Sequence, residues 1–451
     1  MNTSFTSYRP SAIRLTPRIP ALQAGSANVV DVLYRIEGPE KPEHLPRRPR
    51  LNLAFVIDRS GSMSGEPLHQ AKRCVSQFIS QLEDEDSIAV IAYDAKVDIF
   101  LPAQQAASRD LAFQAINRIE SRGMTNLHLG WETGAMELQK FAAPDVISRV
   151  LLLSDGQANK GLQDPAQIGE ACNRMAHASI STSTYGLGRQ FNENLMTLMA
   201  DQGQGQAYYG ETAEDLMGPF QEEFDLLTSV YARNVRLAID CPDGITAEVL
   251  NTYTGKQRKV LPDLAFGAEV WVMIRFHVEA AYSGRGAGEP ILLGECQLTA
   301  NDMNGQPLAI SPSECWLPST APEDYQQLQA DELVTRRLGE VIAARFQTEA
   351  RLAAEKGDWQ EVDRLLDEAR LVARENPWVE AILDILAGFA RQRDYERFSK
   401  ESRYASRSLS TRYASLGEDL FELRPDSEPT SFTSRKTRQG KTSGRSSEQN
   451  G

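Results

Sequence analysis

Leu51-Asn52-Leu53-Ala54-Phe55-Val56-Ile57-Asp58-Arg59-Ser60-Gly61-Ser62 is an apolar run that stops on a carboxylate and turns through small hydroxyl residues. A short apolar run bounded by turn residues reads as a buried strand. Its end places several oxygens at the carboxyl edge of a sheet, where open α/β folds bind their ligands. Oxygens with no His or Cys among them suit a hard divalent cation. The alternation of Asp58, Ser60 and Ser62 directs three side chains toward one centre, and Gly61 and Gly65 are expected to allow close backbone approach.

Outward from this stretch, strand and helix patterns alternate to about residue 230. Pro67 stands near a helix start, and Leu68, Ala71, Cys74, Val75, Phe78 and Leu82 form an apolar stripe at helical spacing. SIAVIAY (87–93) reads as a second buried strand, with VDIFLP (97–102) as an edge strand beside it. Ser108 is placed to cap a helix through Ile119, and 126–141 is a further helical stretch. RVLLLSDG (149–156) repeats the opening theme, an apolar strand ending on an acid, Asp155. Asp164 and Pro165 open another helix, and 180–188 supplies the next strand. Such alternation implies a parallel sheet with helices on both faces and right-handed crossovers.

The flanks differ. Before residue 48 there are two strand patterns, at 13–15 and 29–36, followed by a Pro-rich linker; two strands cannot bury a core alone. Beyond Tyr231 come period-two segments (234–240, 245–253, 269–280, 291–300, 308–317) separated by PDG, TGK and NDMNG turns, the pattern of an antiparallel sandwich. The fold class is therefore multi-domain: a Rossmann-like, doubly wound α/β domain (49–230) inserted in an antiparallel β-sandwich (1–48 with 231–320), then a C-terminal helical region (321–400). Breaks at Gly357 and Pro377 divide the last into antiparallel helices. The Ser- and Arg-rich tail, 401–451, is expected to be mostly disordered. Its RYAS echo at Arg403 and Arg412 allows a segment modified at Ser406 or Ser415, but a solvated linker is the preferred reading.

Composition removes several function classes. At 451 residues the chain holds more than one domain. A formal charge of -14 argues against a general nucleic-acid binder, which needs clustered Lys and Arg. Cys74, Cys172, Cys241, Cys296 and Cys315 are scattered, odd in number and without CxxC spacing, so free thiols of a reducing compartment are expected. No signal-peptide core and no membrane-spanning stretch is seen, which points to the cytoplasm.

Three segments converge on the sheet edge: Asp58, Ser60 and Ser62; Thr125 in Gly123-Met124-Thr125-Asn126; and Asp155 in Ser154-Asp155-Gly156. Either acid alone could simply cap a helix or solvate a turn, but five matching positions in order outweigh that reading. Together they closely resemble the metal-ion-dependent adhesion site of von Willebrand factor type A domains, over about residues 52–228. The resemblance implies that Ser60, Ser62 and Thr125 touch Mg²⁺, with Mn²⁺ or Ca²⁺ as alternatives, while Asp58 and Asp155 act largely through coordinated water. A partner protein presents Asp or Glu to the remaining position. The layout is similar to bacterial A-domain proteins and, distantly, to inter-alpha-trypsin inhibitor heavy chains. It implies a non-enzymatic, cytoplasmic scaffold or adaptor, sometimes working with an AAA+ ATPase or a kinase and phosphatase pair. The alternative is a Mg²⁺-dependent phosphatase or phosphotransferase of haloacid dehalogenase type with Asp58 as nucleophile, against which Ser60 stands where that family's second Asp belongs. His69 and His128 are read as solvated helical residues, and Asp94 as a turn residue.

Overall fold

The computed structural model describes residues 12–41, 48–155, 158–188, 191–210, 213–284, 288–374, 376–411 and 414–415. Among them the chain forms two compact units. One combines the residues before 42 with 230–302 and 306–415, and the other comprises 48–229 with 303–305.

The chain opens with β1 (Ala12–Pro17), the two-residue β2 (Leu22–Gln23) and β3 (Asn28–Glu37). The α/β unit follows: β4 (Arg50–Asp58), α1 (Glu66–Ser80), β5 (Ser87–Tyr93), β6 (Val97–Gln105), α2 (Arg109–Asn117), α3 (Leu127–Gln139) and β7 (Val146–Ser154). It continues through α4 (Pro165–His177), β8 (Ile180–Leu187), α5 (Glu193–Gln202), β9 (Gln204–Gly210) and α6 (Met217–Thr228). The strand order is β6-β5-β4-β7-β8-β9, parallel except for β6, which runs antiparallel to β5 at the edge.

β4 lies between β5 and β7 and is buried on both faces from Leu51 to Asp58, which is why its sequence is continuously apolar rather than alternating. Adjacent residues of a strand point to opposite faces. Phe55 meets Phe78 of α1 edge to face at 5.5 Å between ring centres, whereas Val56 packs on Gly134 of α3. The sheet is thus wound on both sides. β4 leads to β5 on one side and its neighbour β7 leads to β8 on the other, so the carboxyl ends of β4 and β7 form the switch point of the sheet, the place where open α/β folds bind ligands.

In the second unit, β10 (Val230–Asp240), β11 (Ile245–Val249), β12 (Lys259–Val260), β13 (Leu264–Ala265), β14 (Ala268–Val278), β15 (Pro290–Asn301) and β16 (Ser313–Thr320) join the first three strands. One sheet runs β1-β3-β14-β11 and the other β12-β10-β15-β16-β2. The orphan strands at the start of the chain therefore find their partners among strands that follow the α/β unit in sequence, so that unit is inserted in the sandwich between β3 and β10. β14 shows the reason for its composition. Val270, Val272, Ile274, Phe276 and Val278 face the inter-sheet core, while Trp271 and Met273 face Val334, Leu338 and Val341 on the outer side.

Those last three residues belong to α8 (Glu332–Glu355), which follows the short α7 (Pro322–Tyr325). α9 (Trp359–Val372), α10 (Pro377–Gln392) and α11 (Tyr395–Thr411) complete the helical region, and Ala414–Ser415 adds β17 to the edge of β14. α11 departs from the sequence reading, which starts the tail at residue 401. Phe398, Ser402, Ala405 and Leu409 are fully buried at helical spacing, Ser402 Oγ donates to the Gln347 carbonyl at 2.8 Å, and Ser410 Oγ accepts from the Thr252 amide at 2.7 Å. Ser406, read as a residue of a solvated linker, is 9% exposed within this helix. The expected disorder of 416–451 lies outside the described residues. No described helix is long and apolar enough to cross a membrane.

Candidate metal site

Asp58 closes β4 and is fully buried. Its Oδ1 accepts the backbone N–H of Ser60 at 2.8 Å, an Asx turn that reverses the chain at the strand end, and its Oδ2 accepts the Ser154 hydroxyl at 2.7 Å. Met63, buried within the next turn, anchors the loop from below. The loop then enters α1 through Gly65, whose φ of +82° requires glycine. Gly61 does not meet the same expectation: a Cβ there would lie 3.7 Å from the Gly123 carbonyl, an ordinary contact.

The hydroxyls form a continuous file. Ser60 Oγ lies 3.2 Å from Ser62 Oγ, and Ser62 Oγ donates to Asp155 Oδ1 at 2.9 Å. Asp58, Ser60, Ser62 and Asp155 are thus linked through short contacts on one edge of the sheet. Thr125 is brought alongside by its backbone. Gly61 N–H donates to the Gly123 carbonyl at 3.2 Å, and the Thr125 amide donates to Asn159 Oδ1 at 2.9 Å. The amides of Asn159 and Lys160 return to the Thr125 carbonyl at 3.1 and 3.2 Å. Among the described residues, the Thr125 hydroxyl makes no hydrogen bond to the other four side chains. Ser154 and Asn159 are hydrogen-bonded neighbours of the candidate site that the sequence does not single out; nothing in their spacing distinguishes them from ordinary loop hydroxyls and amides.

Electrostatics supply the test of what this group of oxygens can hold. Burial pushes the Asp58 carboxyl above its ordinary range, opposed by the Ser60 amide and the Ser154 hydroxyl. Asp155 is pushed up to about 6, first by burial and then by the Asp58 charge, with the Ser62 hydroxyl opposing. Two carboxylates facing hydroxyls, with no basic side chain hydrogen-bonded to either among the described residues, form a site short of positive charge. A divalent cation fits the donor set, which is all oxygen and includes neutral hydroxyls. No cluster of three or more His, Cys, Asp or Glu that could hold a metal occurs among the described residues, so any ion here relies on the serine and threonine oxygens.

The raised values carry a pH prediction for protein held in chelator. In the window from the ordinary carboxylate range to about 6, the folded state binds more protons than the unfolded chain, so these groups favour folding at low pH and that contribution is lost as pH rises through the window. Asp155→Asn should therefore gain melting temperature over the parent as pH is raised from about 4 to about 7. A gap that stays constant or narrows refutes the assignment.

The histidines take no part in the oxygen file. His69 is solvent-exposed on α1, and His128 sits against Trp131 with its pKa lowered by burial. All five cysteines are free, and burial pushes the thiols of Cys74 and Cys172 up.

Residues 52–222 match the family model of the von Willebrand factor type A domain. The chain carries a von Willebrand factor type A domain. An uncharacterized protein of Synechocystis is 30% identical over 46% of this chain and 48% of its own length, and the uncharacterized protein YfbK of Escherichia coli is 30% identical over 47% and 36%. Human inter-alpha-trypsin inhibitor heavy chain H3 is 31% identical over 42% of this chain and 23% of its own. The chain thus spans less than half the length of these relatives. Two solved structures extend the likeness in fold beyond the A domain. A von Willebrand factor type A protein from Catenulispora acidiphila aligns with a TM-score of 0.66 and 20% identity over 85% of this chain and 91% of its own. The ArnB paralog VWA2 from Sulfolobus acidocaldarius aligns at 0.56 and 17% over 88% and 98%. The A-domain family comprises metal-dependent adhesion and protein-interaction modules, typically non-enzymatic.

Proposed function

We propose that this protein is a metal-dependent interaction module, a cytoplasmic scaffold or adaptor, in which Asp58, Ser60, Ser62, Thr125 and Asp155 hold Mg²⁺ and a partner protein completes the site with an Asp or Glu. The hydrogen-bonded file from Asp58 to Asp155 is the observation that carries the reading. It ranks hydroxyl and carboxylate oxygens at the switch point of the sheet, and among the described residues no base is hydrogen-bonded to them. When bound, the ion supplies an electrophilic coordination position for an external carboxylate. The chain's own residues do the rest: Ser154 and the Ser60 amide fix the Asp58 rotamer, and Ser62 links the first loop to Asp155.

The phosphatase alternative gains no support. Both Asp58 oxygens are engaged and the side chain is fully buried, whereas a nucleophile needs a free, accessible oxygen. Affinity purification in Mg²⁺ and again in chelator tests the proposal. Partners that appear with Mg²⁺ and vanish with chelator are expected, and an AAA+ ATPase or a kinase and phosphatase pair among them would name the pathway. The same partners in both fractions would make the metal structural or absent and end the reading.

A further inference from the structure

We propose that Arg59, Asp94, Asp98 and Arg122 form a clasp that fixes the Thr125 loop against the Asp58 loop and thereby sets the affinity of the metal site. They are positioning residues, and the inference rests on the metal-site reading above. Arg59 stands inside the motif, between Asp58 and Ser60, yet only 3% of it is exposed. Its side chain turns away from the hydroxyl file. Nε lies 2.9 Å from Asp94 Oδ2, Nη2 pairs with Asp98, and the guanidinium carbon lies 5.4 Å from the centre of the Phe100 ring.

Arg122 closes the circuit from the opposite loop, donating from Nε to Asp94 Oδ2 at 2.7 Å and from Nη2 to Asp98 Oδ2 at 2.5 Å. Two guanidinium groups and two carboxylates therefore share partners. The backbone follows the same lines. Arg122 N–H donates to the Arg59 carbonyl at 2.7 Å, Arg59 N–H to the Tyr93 carbonyl at 2.9 Å, and Asn126 N–H to the Asp94 carbonyl at 2.8 Å. Gly61 and Gly123 are joined as described. Asp94 also accepts the Lys96 amide at 2.8 Å, so the turn role read from the sequence is present but is only part of what this residue does. Thr125 is flanked on both sides by residues tied to the first loop or to the end of β5.

Arg59 and Asp94 are buried while Arg122 and Asp98 are half exposed, so desolvation and solvent screening leave these pairs weak as stabilisers, but shared guanidinium–carboxylate contacts impose sharp geometry. A hydroxyl ligand delivered by a loop has to arrive within a fraction of an ångström, and groups supporting a metal ligand typically change affinity 10- to 100-fold when removed. The clasp also matches each guanidinium near the site with a carboxylate.

The test uses the full chain with Mg²⁺ or Mn²⁺ alone, titrated calorimetrically, and melting curves taken in chelator. Asp94→Asn and Arg122→Gln should each weaken metal binding by about 10- to 100-fold. Arg122→Lys should recover part of the loss, and the double variant should lose less than the product of the singles because both act on one element. If Asp94→Asn does not fold, Arg122→Gln, whose side chain is half exposed, carries the test. Variants that melt lower but bind the ion with the parent's affinity would overturn the clasp alone. A parent protein that binds no divalent ion would overturn the metal-site reading and the clasp with it.

Discussion

Asp58→Asn is expected to abolish divalent-ion binding while leaving the fold intact. Asparagine has the shape of the carboxylate it replaces. Its carbonyl oxygen can still accept the Ser60 amide, and its amide can donate to the Ser154 hydroxyl, which reverses its role from donor to acceptor. What disappears is one of the two negative charges of the site. Loss of a mere supporting group weakens metal binding about 10- to 100-fold, so removal of one of the site's two carboxylates should reach on the order of 100-fold or more. The readout is stabilisation by metal. A folded-state ligand present at 100 times its dissociation constant adds about 2.7 kcal/mol, and nearly all of that should vanish in the variant. In chelator the sign should reverse. The variant should be at least as stable as the parent, because burial of the ionised Asp58 and its repulsion of Asp155 are both relieved. An Asp58→Asn protein that keeps its Mg²⁺-dependent shift in melting temperature would place the ion elsewhere, and one that keeps Mg²⁺-dependent partner capture would separate capture from this site.

The candidate site is legible where chemistry and spacing coincide in the chain. Asp58, Ser60 and Ser62 declare themselves within five residues, and the apolar strands before Asp58 and Asp155 announce that both acids reach the same sheet edge. Arg59 was not legible, because an arginine between motif residues looks like a solvent-facing neighbour. Its burial depends on Asp94 arriving from the β5–β6 turn and Asp98 from the start of β6. α11 failed for the opposite reason. Its serines and arginines give it the composition of a linker, but a stripe of Phe398, Ser402, Ala405 and Leu409 is enough to dock when a carbonyl of α8 accepts the Ser402 hydroxyl. Composition measures average polarity, whereas docking depends on one face. The sandwich was recognisable from period-two alternation, yet β2 was hidden in the turn between β1 and β3, being only Leu22–Gln23 and held by pairing with β16.

Removal of residues 1–48 should be the most damaging truncation, since β3 is an interior strand of its sheet. It pairs with β14 over its whole length, from Asn28↔Val278 to Glu37↔Glu269, and with β1 on its other edge. Val30, Val32, Tyr34 and Ile36 enter the sandwich core, and Leu33 packs on the opposite side with α8. Each fully buried side chain of this kind contributes about 1.5–3 kcal/mol, so the loss from the core exceeds about 6 kcal/mol before any backbone pairing is counted. Folded domains have only about 5–15 kcal/mol in total. The truncated chain should therefore lose the sandwich unit, expose the edge of β14 and aggregate. The α/β unit has its own sheet and helices on both faces, so residues 49–229 expressed alone should still fold and keep the proposed metal site. Calorimetry of the full chain against the truncation measures this through the loss of one unfolding transition. A soluble, monomeric truncation with the parent's melting profile would show that β14 does not need β3, and that the insertion of the A domain between β3 and β10 has no part in holding the sandwich together.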